Sequence, residues 1–199
     1  TPDPHFYDFG TILERFGDDV LFSTMRTMLQ RNYDAMKHII GMFIPEEPRE
    51  FEDYICDDGM GVGPYKIKCT LWREGDKAIF DFAGTDPQAQ SSVNFFLNED
   101  MFKMFFGSFT INVVDPQIVF NDGFYDLMEV HIPEGTLLKP REPAALSYHT
   151  QALGRIFDVL GGLLGQGAPD FLAGAGFSDS PHFMYSGYDK NGEWYQLYA

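Results

Sequence analysis

Residues 65–82, YKIKCTLWREGDKAIFDF, carry the pattern that decides the fold. Every second residue from Tyr65 to Leu71 is apolar or aromatic, which predicts a half-buried β-strand. The REGDK turn then reverses the chain, and residues 78–82 are predicted to return as the antiparallel partner of that strand. We therefore expect a sheet that is built outward from this hairpin.

Helical patterns lie on both sides of the hairpin. From Asp19 to Ile40 the apolar residues recur three and four apart, which predicts a long amphipathic helix. We expect Asp18 or Asp19 to cap its start and Gly41 to end it. A second long amphipathic helix is predicted over 144–164, and a shorter helical stretch, rich in Phe and Met, over 100–109.

The remaining segments complete an α+β architecture. Residues 125–132 are predicted to form another strand, and residues 183–188 and 193–198 to form a hairpin around the DKNG turn. We expect one domain with a mixed or mostly antiparallel sheet, two long amphipathic helices and terminal β-hairpins. Its parts are a helical segment 1–44, a connector 45–64, a β-rich segment 65–135 and a helix with a hairpin over 144–199.

Composition narrows the classes of partner. The formal net charge of −16 disfavours nucleic acid and anionic membrane surfaces as partners, because binding to either requires clustered Lys and Arg.

Cys56 and Cys69 match no CxxC spacing, no Asn-x-Ser/Thr sequon occurs and no basic leader precedes an apolar run. These three features together favour a reducing compartment. Twenty phenylalanines require a deep core or a buried interface. Because the chain starts without Met and stops inside a predicted strand, we expect it to be a piece of something longer.

The stretch IFDFAGTDPQAQSSVNFF, residues 79–96, contains the polar residues that are candidates for lining a cavity. Asp81 lies among large apolar residues, so its carboxyl group must be paired or neutral. Thr85 and Asp86 follow Gly84 in a turn where their side chains can bond local amides, and Asn94 can supply a positioned carboxamide. Two interpretations stay open: a capped β-turn that tethers a crossing segment, or the wall of a site.

The histidines and catalytic motifs add one more candidate. His149, in SYHTQALGR, is predicted near the start of the second long helix, where it could donate to a ligand or bond a neighbouring strand. The five histidines show no HxH or HxxxH spacing, so we expect no metal site built from this piece alone. GxSxG, GxGxxG and Walker motifs are also absent from the sequence. No catalytic residue is assigned.

Two long motifs in this sequence resemble the hydantoinase B/oxoprolinase family. Residues 80–95, FDFAGTDPQAQSSVNF, are similar to the family's strand-ending Asp-Phe-Ser/Ala-Gly-Thr stretch, which leads to an asparagine, and an acidic DDG precedes them at 57–59. Residues 120–146, FNDGFYDLMEVHIPEGTLLKPREPAAL, resemble its N-x-G, PEG-(S/T)-x-L-x-P and P-A-A stretches. The likeness spans nearly the whole chain and corresponds to an internal part of a typical member.

Within the family, residues 102–127 look most like the α subunit of acetone carboxylases. This resemblance implies a ligase that couples ATP hydrolysis to the carboxylation of acetone by bicarbonate, giving acetoacetate. It also implies a cytoplasmic hetero-oligomer with β- and γ-type carboxylase subunits, in which ATP is handled mainly by the β subunit. A manganese ion would be held by His and Asp residues of the α subunit that precede this segment in the family pattern.

The role that the resemblance leaves to this segment is scaffold, subunit interface and cavity wall, with no bound manganese or ATP and no activity of its own. Two alternatives stay open. The first is a subunit of an ATP-dependent hydrolase that opens hydantoins or other cyclic amides. The second is a non-catalytic interaction module. An assay of substrate-dependent ATP consumption separates the two enzymes.

Overall fold

A four-stranded mixed sheet lies at the centre of the computed structural model, which describes residues 9–171, 174–176 and 184–198. The strands are β1 (Arg49–Ile55), β2 (Tyr65–Glu74), β3 (Lys77–Asp81) and β4 (Met128–His131). β1, β2 and β3 are antiparallel neighbours, and β4 lies parallel to β3 at the far edge. The α+β class and the mixed sheet were both predicted, and both are confirmed.

The β2–β3 hairpin follows its predicted register. Ile67, Cys69 and Leu71 are buried on one face of the sheet, and Leu71 lies opposite Phe80. The other face of the hairpin carries Lys66 and Lys68, which make ion pairs with glutamates of β1. The alternation in the sequence therefore separates a buried face from a charged one.

The chain forms four helices, α1 (Phe9–Phe16), α2 (Asp18–Phe43), α3 (Glu99–Val114) and α4 (Thr150–Gly165). α2, α3 and α4 cover the buried face of the sheet, whereas no residue of α1 is buried. Phe80 packs edge-on against Phe102 and Phe106 of α3, with ring centroids 4.9 and 4.8 Å apart. α4 lies over β1 and β2, and Gly162 lets it approach the Phe51 ring so closely that a Cβ there would overlap the ring. Aromatic packing on one sheet face thus forms the core.

Four helix boundaries differ from the predictions. The helix predicted over 100–109 is α3, which begins at Glu99 and continues to Val114. Gly17, with φ 78°, occupies the N-cap position of α2, and neither Asp18 nor Asp19 caps it. Gly41 stays within α2, which continues to Phe43 because the Ile44 N–H still bonds to the Ile40 carbonyl. α4 begins at Thr150 instead of 144, since the backbone just before it is bonded to other segments of the fold.

Two elements were missed and one was assigned wrongly. α1 was not predicted as a separate helix within the helical segment 1–44. β1 lies inside the predicted connector 45–64. The predicted strand 125–132 starts as a 3₁₀ turn (Tyr125–Leu127), so only β4 pairs with the sheet. The predicted C-terminal hairpin is present as β5 (Met184–Tyr188) and β6 (Trp194–Tyr198). A further 3₁₀ turn spans Pro169–Phe171, and within the described ranges no helix is long and apolar enough to cross a membrane.

Removing the central ring should destabilise the fold strongly. Phe80 is fully buried between the two α3 rings, so Phe80→Ala should lower the free energy of unfolding by about 3–5 kcal/mol. Phe96, which is 50% exposed, is the matched control, and Phe96→Ala should cost less than about 1 kcal/mol. Urea denaturation measures both changes, and equal losses would show that the core is not centred on Phe80.

Candidate functional site

The turn after β3 binds the backbone of β2. The Thr85 hydroxyl accepts a hydrogen bond from Lys68 N and donates one to Lys68 O, both at 3.1 Å. The Asp86 carboxylate accepts from Lys66 N at 2.8 Å, and the Asp86 N–H donates to Lys66 O at 3.0 Å. Gly84 has φ 91°, a backbone conformation that favours glycine. The turn at this glycine places Thr85 and Asp86 beside the first residues of β2. Both side chains are therefore engaged in tethering the crossing segment.

Asn94 lies at the far end of that segment and is fully buried. Its Oδ1 accepts a hydrogen bond from Ala89 N at 2.8 Å, and its Nδ2 donates to the carbonyls of Ala89, Ser91 and Ala145 at 2.9, 3.0 and 3.1 Å. A carboxamide has two donor hydrogens and one acceptor oxygen, so both polar atoms of Asn94 are engaged and its two hydrogens are shared among three carbonyls. Asn94 thereby closes the 89–94 loop and binds it to the segment before α4.

The two motifs that carry the family resemblance pack directly on each other. Backbone hydrogen bonds run from Gln88 N to Gly135 O, from Leu137 N to Asp86 O, and from Phe95 N to Leu137 O, at 2.8 to 3.0 Å. The motif strip, defined as residues 85–97 paired with 135–149, therefore forms one continuous wall. The sequence motifs alone did not predict this pairing.

Asp81 precedes the motif strip, at the end of β3, and His149 is the last residue of the strip. Asp81 is half-buried at the end of β3, in register with His131 of β4, and its carboxylate accepts a hydrogen bond from Ala83 N at 2.9 Å. His149 is exposed, its ring stacks on Phe95 with centroids 5.7 Å apart, and its Nδ1 lies 2.9 Å from Leu146 O. It occupies the turn before α4 instead of the helix. A cavity-lining role for these residues stays a prediction.

A cleft of about 390 Å³ opens where this wall meets the loop after β1. Its lining residues come from three segments and are Asp57, Asp58, Gly59, Ser92, Val93, Tyr148 and Gln151. Tyr148 N donates to Ser92 O at 2.9 Å, which ties two of the three segments together. Two carboxylates, two hydroxyls and a carboxamide border this cleft, so a small polar molecule could form several hydrogen bonds there.

Asp58 organises one side of the cleft. Its Oδ1 accepts hydrogen bonds from Met60 N and Val62 N at 2.9 and 3.1 Å, and its Oδ2 accepts one from the Tyr65 hydroxyl at 3.1 Å. Burial acts to raise the pKa of the Asp58 carboxyl, but these hydrogen bonds together outweigh it and leave the pKa below its ordinary value. The charged form of Asp58 is therefore bound to the loop that it closes.

Ser91 lies next to the same carboxylate. Its hydroxyl also lowers the pKa of Asp58, although Ser91 Oγ is buried and makes no hydrogen bond of good geometry within the described ranges. The acidic DDG at 57–59 was the only sequence signal for this site. The contributions of Ser92, Tyr148 and Gln151 were missed, because only the folded chain brings residues 57, 92 and 148 together.

The described ranges contain no group of three or more His, Cys, Asp or Glu side chains arranged to hold a metal ion. The two cysteines are free thiols, and burial raises the pKa of the Cys69 thiol, with the Asp81 charge adding to the effect. These residues do not fit the manganese ion that the resemblance implies.

Comparison with known proteins decides the family. Residues 8–199 match the hydantoinase B/oxoprolinase family over nearly the full chain. The chain belongs to the hydantoinase B/oxoprolinase family. The family expectation from the two motifs is therefore confirmed.

One curated relative has low sequence identity to this chain and is a much longer protein. A 5-oxoprolinase, PfmaA, of Pestalotiopsis fici is 26% identical over 154 residues, which cover 76% of this chain and 12% of that protein. The chain therefore spans about an eighth of the length of this relative.

Two solved structures share the fold. An acetone carboxylase in nucleotide-free form matches 95% of this chain at a TM-score of 0.70 and 15% identity. The ATP-dependent caprolactamase from Pseudomonas jessenii matches 80% at a TM-score of 0.64 and 21% identity. Each match covers 27% of the longer chain.

Replacing Asn94 with Asp should destabilise the protein. The change places a negative charge against the carbonyls of Ala89, Ser91 and Ala145, so we expect a loss of about 3 kcal/mol in the free energy of unfolding. The control is Asn98→Asp, which should change stability by less than about 0.5 kcal/mol, because exposed Asn98 only accepts a hydrogen bond from Met101 N and caps α3. Thermal denaturation of both variants tests the difference, and a neutral Asn94→Asp would contradict it.

The Asp58 loop should respond to pH and to the loss of the Tyr65 hydroxyl. Because the pKa of Asp58 lies below its ordinary value of 3.8, its stabilising contribution is present above pH 3.8 and is lost as pH falls through the folded-state value. Tyr65→Phe should raise the pKa of Asp58 towards 3.8, whereas Tyr125→Phe, in another part of the fold, should leave it unchanged. Carboxyl ¹³C NMR titration measures this, and an unmoved pKa in Tyr65→Phe would exclude the hydroxyl as its cause.

Proposed function

We propose that this chain forms part of the α subunit of an ATP-dependent acetone carboxylase, which converts acetone and bicarbonate to acetoacetate. The observation that supports this most directly is the fold of an acetone carboxylase over 95% of the chain, together with the similarity of residues 102–127. Because the chain belongs to this family and shares its fold with two ATP-dependent enzymes, we expect the intact protein to be an ATP-dependent enzyme. In this proposal the chain contributes scaffold, subunit interface and one wall of a reaction cavity.

The motif strip provides a physical basis for the wall. Its inner side buries Phe95 and Leu137, while Ser92, Val93 and Tyr148 border the cleft. In this proposal the wall helps to exclude water from a cavity that partner subunits complete, which would protect a reactive carboxylating species from hydrolysis. Polar groups at one end can orient a small ketone or bicarbonate. Asp81, Thr85, Asp86, Asn94 and His149 support this wall by fixing its course.

Manganese and ATP belong to the intact complex in this proposal: the metal is held by α-subunit residues that precede this segment, and ATP is handled mainly by the β subunit. We expect β- and γ-type subunits as partners and the cytoplasm as the compartment. The free, unpaired thiols of Cys56 and Cys69 agree with a reducing environment.

A second candidate is an ATP-dependent cyclic amide hydrolase. It is favoured by the sequence relation to the 5-oxoprolinase of Pestalotiopsis fici and by the fold shared with the caprolactamase. In such an enzyme the same wall would border a lactam ring that is opened instead of a ketone that is carboxylated.

Substrate-dependent ATP consumption separates the two candidates. The intact complex containing this chain should hydrolyse ATP faster with acetone plus bicarbonate and should release acetoacetate. Stimulation by 5-oxoproline, hydantoin or caprolactam, with no response to acetone, would establish the hydrolase instead. No stimulation by any of these compounds would remove both candidates.

Filling the cleft tests the role of the wall. Gln151→Trp should lower the substrate-stimulated rate of the complex at least tenfold, because an indole placed in a 390 Å³ cleft displaces any small ligand. Gln117→Trp, on an exposed loop, should leave the rate unchanged. Both variants should assemble and unfold as the parent does. A full rate in Gln151→Trp would exclude the cleft from catalysis.

A further inference from the structure

A second cavity, of about 220 Å³, lies between α2 and the loop that follows α3. Its lining residues are Met28, Arg31 and Asn32 of α2 and Ile118 and Val119 of the loop. The cavity and the cleft beside Asp58 have no described lining residue in common, so they are separate places where a small molecule can bind.

Buried Asn32 holds the two walls of this cavity together. Its Nδ2 donates hydrogen bonds to Met28 O at 3.2 Å and to Val119 O at 2.9 Å, and its Oδ1 accepts one from Asn121 N at 3.2 Å. Asn121 Nδ2 in turn donates to Met28 O at 3.0 Å. Because these bonds fix both walls, a ligand can bind without ordering them first.

Most of the lining is apolar. Met28, Ile118 and Val119 present hydrocarbon or thioether groups, and Val119 is 66% exposed. Both polar atoms of the Asn32 side chain are bonded to backbone groups of the two walls. The hydrocarbon part of a ligand is favoured against these surfaces, because binding removes apolar area from water.

Arg31 is the charged group of this cavity. It is exposed, and within the described ranges its guanidinium makes no ion pair and no hydrogen bond. The carboxylate of Asp34, three residues further along α2, instead accepts a hydrogen bond from Gln30 Nε2 at 2.9 Å. A guanidinium binds a carboxylate through two parallel charge-assisted hydrogen bonds, so Arg31 can hold an anionic group at the edge of the cavity.

The two cavities of the fold differ in the sign of their charge. Asp57 and Asp58 line the cleft, whereas the ionisable residue in the described lining of the second cavity is an arginine. The net charge of −16 is spread over the whole chain, and charges farther away than about 8 Å are largely screened at physiological ionic strength. Arg31 therefore makes the second cavity the one suited to an anion.

The volume of the cavity limits the size of its ligand. A water molecule occupies about 30 Å³ in the liquid, so 220 Å³ corresponds to about seven waters. A molecule with about six or seven non-hydrogen atoms fits this space.

We propose that this cavity binds a short-chain monocarboxylate, with the carboxylate on the Arg31 guanidinium and the hydrocarbon chain against Met28, Ile118 and Val119. A neutral molecule of the same shape loses the charge-assisted hydrogen bonds. A dicarboxylate places its second charge against apolar walls, where it has no partner. The inference concerns a second ligand site and is independent of the reaction proposed above.

A ¹H–¹⁵N NMR titration of the full 199-residue chain with butyrate tests the site. The amide signals of Asn32, Val119 and Asn121 should shift and saturate with a Kd of about 1 mM, which is the range expected for a ligand of this size. Butyramide has the same shape and no charge, so it should bind at least about tenfold more weakly.

Two arginine variants of α2 separate the charge from the cavity. Arg31→Gln should weaken butyrate binding at least about tenfold and leave butyramide binding unchanged. Arg26→Gln, the matched control, removes an arginine that does not line the cavity and should change neither affinity. Circular dichroism should show both variants folded.

Three results would overturn the proposal. The first is equal affinity of the parent chain for butyrate and butyramide, and the second is an unchanged butyrate affinity in Arg31→Gln. The third is the absence of shifts at Asn32, Val119 and Asn121 with butyrate at about 50 mM, well above the expected Kd.

Discussion

The pairing of residues 85–97 with 135–149 is the constraint on which the rest of this structure depends. Its two ends are fixed in different ways: Thr85 and Asp86 bond to the backbone of β2, and Asn94 bonds across to Ala145. The buried carboxamide matters most, because the carbonyls around it would otherwise lose water without gaining a partner. The wall between these ends therefore has one course through the fold.

That wall positions both the core and the cleft. Its buried side chains, such as Phe95 and Leu137, belong to the same core as Phe80 and Phe82, which pack against Phe102 of α3. At its far end it sets Ser92 beside Tyr148, so that a pocket forms against the Asp58 loop. Thr85, Asp86 and Asn94, which the sequence offered as candidates for lining a cavity, thus hold the backbone of other segments in place.

The surface divides into parts with different physical roles. Acidic side chains dominate the chain as a whole, and ion pairs cover the outer face of the sheet at Lys66 and Lys68. Residues 9–31, in α1 and the first half of α2, are neutral and apolar, with arginines beside the exposed methionines.

The sequence by itself determined the elements whose patterns are local. The period of two in 65–71 predicted β2, the spacing of apolar residues predicted α2, and the DKNG turn predicted the last hairpin. The motifs were also sufficient for the family. Only the tertiary structure decided that β1 joins the sheet, that α4 starts at Thr150, and that Asp58, Ser92 and Gln151 border one cleft. Local patterns record which face of an element is buried, whereas hydrogen bonds between segments distant in sequence arise only when the chain is folded.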